Sequence, residues 1–73
     1  MRTKNILIAG AGNLGFYYFE ALKEVDFDLK VYIYDISNIS IQKFKKKIKK
    51  NKTITVFYIK NLKTLPYNLD LAI

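Results

Sequence analysis

Residues 6–15 read ILIAGAGNLG, an apolar run that passes into three closely spaced glycines. The run from Asn5 to Ala9 is apolar and short, which is typical of a strand buried on both faces. From Asn13 onward the apolar residues recur at the spacing of a helix. Between strand and helix lie the only three glycines of the chain: Gly10, Gly12 and Gly15. Glycine weakens regular elements, so its use here indicates a special backbone requirement.

The first helix is predicted over residues 13–24. Its apolar stripe is expected on Leu14, Tyr18, Leu22 and Val25. In this interpretation Tyr18 and Phe19 belong to the core or its margin. Phe16 or Tyr17 is then the more exposed aromatic residue of this helix.

Strands and helices alternate along the rest of the chain. Further strands are predicted over residues 29–35, 53–59 and 69–73, joined by a connection over 60–68 that contains Pro66. A second helix begins near the cap residues Ser37 and Asn38, ends at Asn51 and buries Ile41, Phe44 and Ile48. Such alternation implies a parallel sheet with right-handed crossovers. We therefore predict an α/β fold, a partial Rossmann fold with strand order 3-2-1-4 and flanking helices, in one domain over 1–73.

The glycine spacing is that of a turn that binds a dinucleotide. Gly10 would make the tight turn, Gly12 would let the backbone approach a pyrophosphate, and Gly15 would let the helix pack closely on the sheet. The amides of Asn13 and Leu14 would point at the phosphates from the positive end of the helix dipole. The motif alone has little specificity, but its place between a strand and a helix strengthens it.

An acid follows at the expected distance. Asp35 ends the second strand, twenty residues beyond Gly15, where a carboxylate accepts hydrogen bonds from the adenosine ribose. It would also repel the 2′-phosphate of NADP, and Ile36 follows it rather than an arginine, so NAD is favoured over NADP. Alternatively, Asp35 only caps the helix that follows. The predicted cofactor-binding residues are Gly10, Gly12, Asn13, Leu14, Gly15, Asp35 and Ile36.

The composition excludes several kinds of site. The 73 residues include no cysteine and no histidine, which removes disulfides, thiolate metal sites and the commonest neutral-pH general base. No nucleophile has an adjacent base and no carboxylate pair is placed for acid–base work. We therefore expect neither catalytic nor metal-binding residues.

The net charge of +7 is concentrated in one segment. Residues 43–52 carry seven lysines and no acid, on a helix whose apolar stripe is needed to cover the sheet. This pattern favours a solvated helix face over a site for nucleic acid or for a membrane surface. No signal peptide and no apolar run of about 20 residues is present, so a cytoplasmic protein is expected.

The stretches NILIAGAGNLG, EALKEV, YIYD and LPYNLDLAI resemble the N-terminal domain of the glucose–fructose oxidoreductase/inositol 2-dehydrogenase family. The resemblance extends over essentially the whole chain, although many NAD enzymes share its glycine motif. It implies that the five residues named in the glycine turn line the pyrophosphate and that Asp35 holds the ribose.

In that family a second, larger domain binds a sugar or polyol and usually provides the catalytic lysine and histidine. The resemblance therefore implies the NAD-binding portion of an oxidoreductase, from a parent that acts on a sugar or polyol. The 73-residue chain would then be truncated and inactive alone, with its substrate reached only through the missing domain.

Two other functions stay open. The chain could be a non-catalytic nucleotide-sensing module, like the regulatory domains of potassium-transport systems, which use a similar glycine turn and strand-end acid. It could also be a degenerate gene product without activity. A sensor is expected to dimerise, and the outer edge of the fourth strand is open to pairing, so a homo-oligomer is compatible with the sequence.

Overall fold

The computed structural model describes residues 3–25, 28–48, 52–66 and 68–73. The elements are β1 (Thr3–Ala9), α1 (Asn13–Leu22), β2 (Asp28–Tyr34), α2 (Asn38–Lys47), β3 (Ile54–Ile59), a 3₁₀ turn (Leu62–Thr64) and β4 (Leu71–Ala72).

The four strands form one parallel sheet in the order β3-β2-β1-β4. The predicted α/β class, strand order and partial Rossmann-like fold are therefore confirmed. Since β2 and β4 lie on opposite sides of β1, the chain leaves β1 in one direction and later returns to its other side. The carboxyl end of β1 is thus the point at which the strand order reverses, where open α/β sheets bind their ligands.

Both helices cover the same face of the sheet. The buried cluster on this face contains Ile6, Ile8, Ala11, Phe19, Leu29, Val31, Ile33, Ile41, Phe44 and Ile54. Phe44 joins the layers, with its ring edge-on to Phe19 at 5.5 Å and to Tyr58 at 6.3 Å. The predicted stripe of the second helix is confirmed, because Ile41 and Phe44 are buried and Ile48 packs against the cluster.

The prediction that the first strand is buried on both faces is wrong. Ile6 and Ile8 are buried, whereas Leu7 is half-buried and Ala9 is exposed. The physical reason is that no helix in the described residues covers the second face, since a 3₁₀ turn lies between β3 and β4. Tyr32 and Phe57 stack on this face at 5.0 Å.

The predicted stripe of α1 is wrong at two positions. Leu14 and Tyr18 are 65% and 40% exposed, while Gly15 and Phe19 face the sheet. The helix is rotated about its axis relative to the predicted orientation, because the close approach of Gly15 to Gly10 and Ile8 determines which side meets the strands. As a result Phe16 packs against the core. Of the two aromatic residues predicted as candidates for the exposed one, Tyr17 is exposed.

Several predicted boundaries shift. α1 ends at Leu22 instead of residue 24, and α2 ends at Lys47, with Asn51 outside the described residues. β2 begins and ends one residue earlier than predicted, β3 begins one residue later, and β4 has only two residues. Within the described ranges, neither helix has the length and apolar content to cross a bilayer.

Candidate functional site

The turn after β1 requires glycine at its first position. Gly10 has a φ of 111°, which lies in the left-handed region that side chains disfavour. Its N–H donates to the Tyr34 carbonyl at 2.7 Å, and the N–H of Ala9 donates to the Ile73 carbonyl at 3.0 Å. These bonds fix the start of the turn between the carboxyl ends of β2 and β4.

The third glycine is required by packing. A Cβ on Gly15 would collide with the carbonyl oxygen of Gly10 and would lie 3.1 Å from its carbonyl carbon. It would also lie 3.3 Å from Cγ2 of Ile8. Gly15 therefore lets α1 rest directly on the turn and on β1, as the sequence predicted.

Neither backbone conformation nor packing requires the middle glycine. Gly12 has ordinary extended dihedral angles, and a Cβ there would meet nothing within 4 Å. It is the N-cap of α1, and no side chain caps this helix end. The first amides of a helix have no partner within the helix, and no side chain caps those of α1.

Asp35 holds the turn in place. Its Oδ2 accepts from the Ala11 N–H and its Oδ1 accepts from the Ser37 N–H, both at 2.8 Å. Hydrogen bonds from backbone N–H groups, first that of Ala11, then those of Ser37 and Ile36, lower the pKa of the Asp35 carboxyl below its ordinary value, against the opposing effect of burial. The carboxylate is therefore ionised at neutral pH.

Asp35 does not itself cap α2. The N-cap is Ser37, whose Oγ accepts from the Ser40 N–H at 3.2 Å. An ionised carboxylate has about four acceptor positions, and two are used by the backbone. Asp35 can therefore still accept hydrogen bonds from a ligand.

Two clefts open beside the turn. The Asp35 cleft has a volume of about 290 Å³ and is lined by Ala9, Gly10, Tyr34, Asp35 and Ile36. The Leu14 cleft has a volume of about 420 Å³ and includes Gly10, Gly12, Asn13, Leu14, Gly15 and Ile73 in its wall. Because Ala9 and Gly10 belong to both, the clefts meet over the end of β1.

All seven predicted site residues line this pair of clefts. Five of them lie around the Leu14 cleft: Gly10, Gly12, Asn13, Leu14 and Gly15. Asp35 and Ile36 lie around the Asp35 cleft, which Gly10 also lines. The sequence interpretation missed Ala11, whose contribution is a backbone N–H and has no signature in residue type. It also assigned Tyr18 to the core or its margin, whereas Tyr18 lines the Leu14 cleft.

In the part of the chain that the structure describes, no group of three or more His, Cys, Asp or Glu side chains is arranged to hold a metal ion. Comparison of the chain with protein-family models, with curated proteins and with solved structures finds no match.

Proposed function

We propose that this chain binds a nicotinamide adenine dinucleotide, preferably NAD, across the end of β1. The pyrophosphate would lie over the glycine turn, the adenosine ribose in the Asp35 cleft and the other half of the dinucleotide in the Leu14 cleft. The geometry supports this proposal because the two clefts meet at Gly10, so one extended ligand could occupy both.

The observation that carries the proposal is the empty space above Gly12. The fold itself accounts for Gly10 by its φ angle and for Gly15 by its packing. Neither backbone conformation nor packing among the described residues requires glycine at Gly12, where it is one of several residues favoured as an N-cap. A pyrophosphate accounts for it, since phosphate oxygens must come close to the backbone to reach the amides at the start of α1.

Asp35 supports the ribose assignment and the preference for NAD. Its pKa is held low by backbone N–H groups, so it presents an ionised acceptor to ribose hydroxyls. A 2′-phosphate in the same place would be repelled by this charge.

The resemblance to the glucose–fructose oxidoreductase/inositol 2-dehydrogenase family extends the proposal to an oxidoreductase that acts on a sugar or polyol. The bound nicotinamide would supply hydride transfer. The residues of this chain would bind and orient the cofactor, and none of the described residues is offered as catalytic.

Calorimetric titration of the chain with NAD, ADP-ribose and NADP tests this function, once circular dichroism has confirmed the folded state. We expect saturable binding of NAD and ADP-ribose, and weaker binding of NADP. Gly12→Val should abolish binding because its side chain fills the space that the pyrophosphate needs.

Ala21→Val is the matched control, since it adds the same kind of side chain at an exposed position of the same helix away from both clefts. Normal NAD binding by Gly12→Val, or a folded wild-type chain that binds neither NAD nor ADP-ribose, would refute the proposal.

A further inference from the structure

β4 is the shortest strand of the sheet. It has two residues, Leu71 and Ala72, and both are exposed. Among the described residues it pairs with β1 alone, at Ile6 and Leu7, so it forms one edge of the sheet. Segments with few buried apolar contacts and exposed backbone hydrogen bonds open most easily. The contacts just before and just after β4 are therefore important for keeping it beside β1.

Asp70 fastens the amino-terminal end of β4. Its backbone N–H donates to the Asn5 carbonyl at 2.8 Å, and its side-chain Oδ2 accepts from the Asn5 N–H at the same distance. The Asn5 side chain donates in turn to the Asn68 carbonyl at 3.3 Å. Lys4 forms an ion pair with Oδ1 of Asp70 at 3.8 Å, but such partly exposed pairs contribute little. The hydrogen bonds to Asn5 thus extend the contact between the two segments beyond the two residues of β4.

The carboxyl-terminal end of β4 reaches the proposed binding site. The N–H of Ile73 donates to the Leu7 carbonyl at 2.8 Å, and the Ile73 carbonyl accepts from the Ala9 N–H directly before the glycine turn. The Ile73 side chain packs against the buried cluster and belongs to the wall of the Leu14 cleft. This part of the wall is therefore present only while β4 lies beside β1.

The glycine turn has separate support on its other side. The Gly10 N–H donates to the Tyr34 carbonyl, and the Asp35 carboxylate accepts from the Ala11 N–H. Tyr34 is the last residue of β2 and Asp35 follows it. A displacement of β4 would therefore leave the Asp35 cleft and the middle of the turn in place, and would alter the Leu14 cleft.

We infer that Asp70 is a positioning residue for dinucleotide binding, because it holds β4 beside β1 so that Ile73 completes the Leu14 cleft. The inference rests on the proposed function, in which that cleft holds the half of NAD beyond the pyrophosphate. Asn5, which Asp70 binds, lies four residues before Ala9, a distance of about 13 Å along a strand. Asp70 thus acts on the ligand through β4 and not by contact. Loosening β4 lowers the population of the binding-competent state, and the NAD affinity falls by the same fraction.

The test compares NAD with ADP, which lacks the half assigned to the Leu14 cleft. Both are titrated by calorimetry into the wild type, Asp70→Ala and Asp70→Asn. Asp70→Ala removes the acceptor for the Asn5 N–H, so we expect about fivefold weaker binding of NAD, with ADP changed less than about twofold. Asp70→Asn keeps a side-chain oxygen for that N–H and removes only the charge, so it should retain most of the NAD affinity.

Lys4→Gln and Ser37→Ala are the controls. The first removes the ion pair but leaves the bond between Asp70 and Asn5, and the second removes a helix cap away from β4. Neither should alter the ratio of NAD affinity to ADP affinity. Should Asp70→Ala fail to fold by circular dichroism, Asp70→Ser takes its place. Its hydroxyl lies nearer the backbone and reaches the Asn5 N–H less well, so the same ratio should shift in the same direction.

Amide hydrogen exchange, followed by NMR, reports the position of β4 without a ligand. Asp70→Ala should speed exchange of the Ile73 and Ala9 N–H groups by about tenfold and leave that of Gly10 within about twofold. Unchanged exchange at Ile73, or equal weakening of NAD and ADP, would overturn the inference while the proposed function stands. A folded wild-type chain that binds neither NAD nor ADP would remove the proposed function, and the role of Asp70 in binding with it, whatever the exchange shows about β4.

Discussion

The two helices of this chain begin in different ways. At α2 the Ser37 hydroxyl accepts from the Ser40 N–H, and Asp35 accepts from the Ser37 N–H. At α1 the N-cap is Gly12, and no side chain caps the helix. One helix end is thus satisfied by the chain itself, and the other leaves its amides to solvent or to a ligand.

Asp35 connects these two regions, since its second oxygen binds the Ala11 N–H just before α1. Side chains around the open end of α1 should therefore matter for ligand binding, while those at the closed end of α2 should matter for stability.

Gly15→Ala should have the largest effect on stability. The new Cβ would collide with the Gly10 carbonyl, so α1 would have to move away from the turn and from β1. We expect a loss of about 3 kcal/mol, at the upper end of overpacking costs, by urea denaturation. Gly12→Ala is the matched control, and a similar loss in that variant would contradict the packing argument.

Asp35→Asn should destabilise the chain by about 2 kcal/mol. The amide nitrogen would face either the Ala11 N–H or the Ser37 N–H, so one of these donors would lose its acceptor. This variant should also bind NAD more weakly, which calorimetry measures, because Asp35 serves both helix ends. A change in binding without a change in stability would show that the two backbone bonds contribute little.

Ser37→Ala should cost about 1 kcal/mol, the usual effect of removing an N-cap hydroxyl. The measurement is thermal unfolding of the variant beside Ser37→Thr, which retains a hydroxyl. NAD affinity should be unchanged, since Ser37 lines neither cleft of the proposed site. A loss of NAD affinity would break the distinction between the closed and the open helix end.

The pH dependence of stability should reveal Asp35. Because its pKa is lower in the folded chain than its ordinary value of 3.8, the ionised form favours folding. This contribution is present above the ordinary pKa and is lost as the pH falls through the folded pKa. Between pH 5 and pH 2 the wild type should therefore lose more stability than Asp35→Asn in urea titrations, and parallel curves would contradict this assignment.

Gly12→Ser should have the smallest effect on stability. Serine can cap α1 with its hydroxyl, and its Cβ meets nothing within 4 Å, so the free energy of unfolding should rise by a few tenths of a kcal/mol at most. Its NAD affinity should nevertheless fall by at least about tenfold, by calorimetry, because the capping hydroxyl takes an amide from the pyrophosphate. A stabilised variant that binds NAD normally would show that the uncapped end of α1 affects stability and not NAD binding.

The order of elements, the parallel sheet and seven of the residues that line the two clefts were predictable from the sequence, while the binding role of those seven stays a prediction. These follow from local signals: apolar periodicity, the glycine spacing and an acid at the end of a strand. The stripe of α2 was predictable for the same reason, because Ile41, Phe44 and Ile48 recur at helical spacing and polar residues, mostly lysines, separate them.

The side of α1 that meets the sheet is set by packing between elements. The apolar residues of this helix occur all around it, so periodicity could not choose between Tyr18 and Phe16, and the close contact at Gly15 made the choice. Tertiary structure also decided that Asp35 binds the turn and that Asp70 binds Asn5. These relations join residues far apart in the chain, and their physical basis is the packing of separate elements, which no local pattern records.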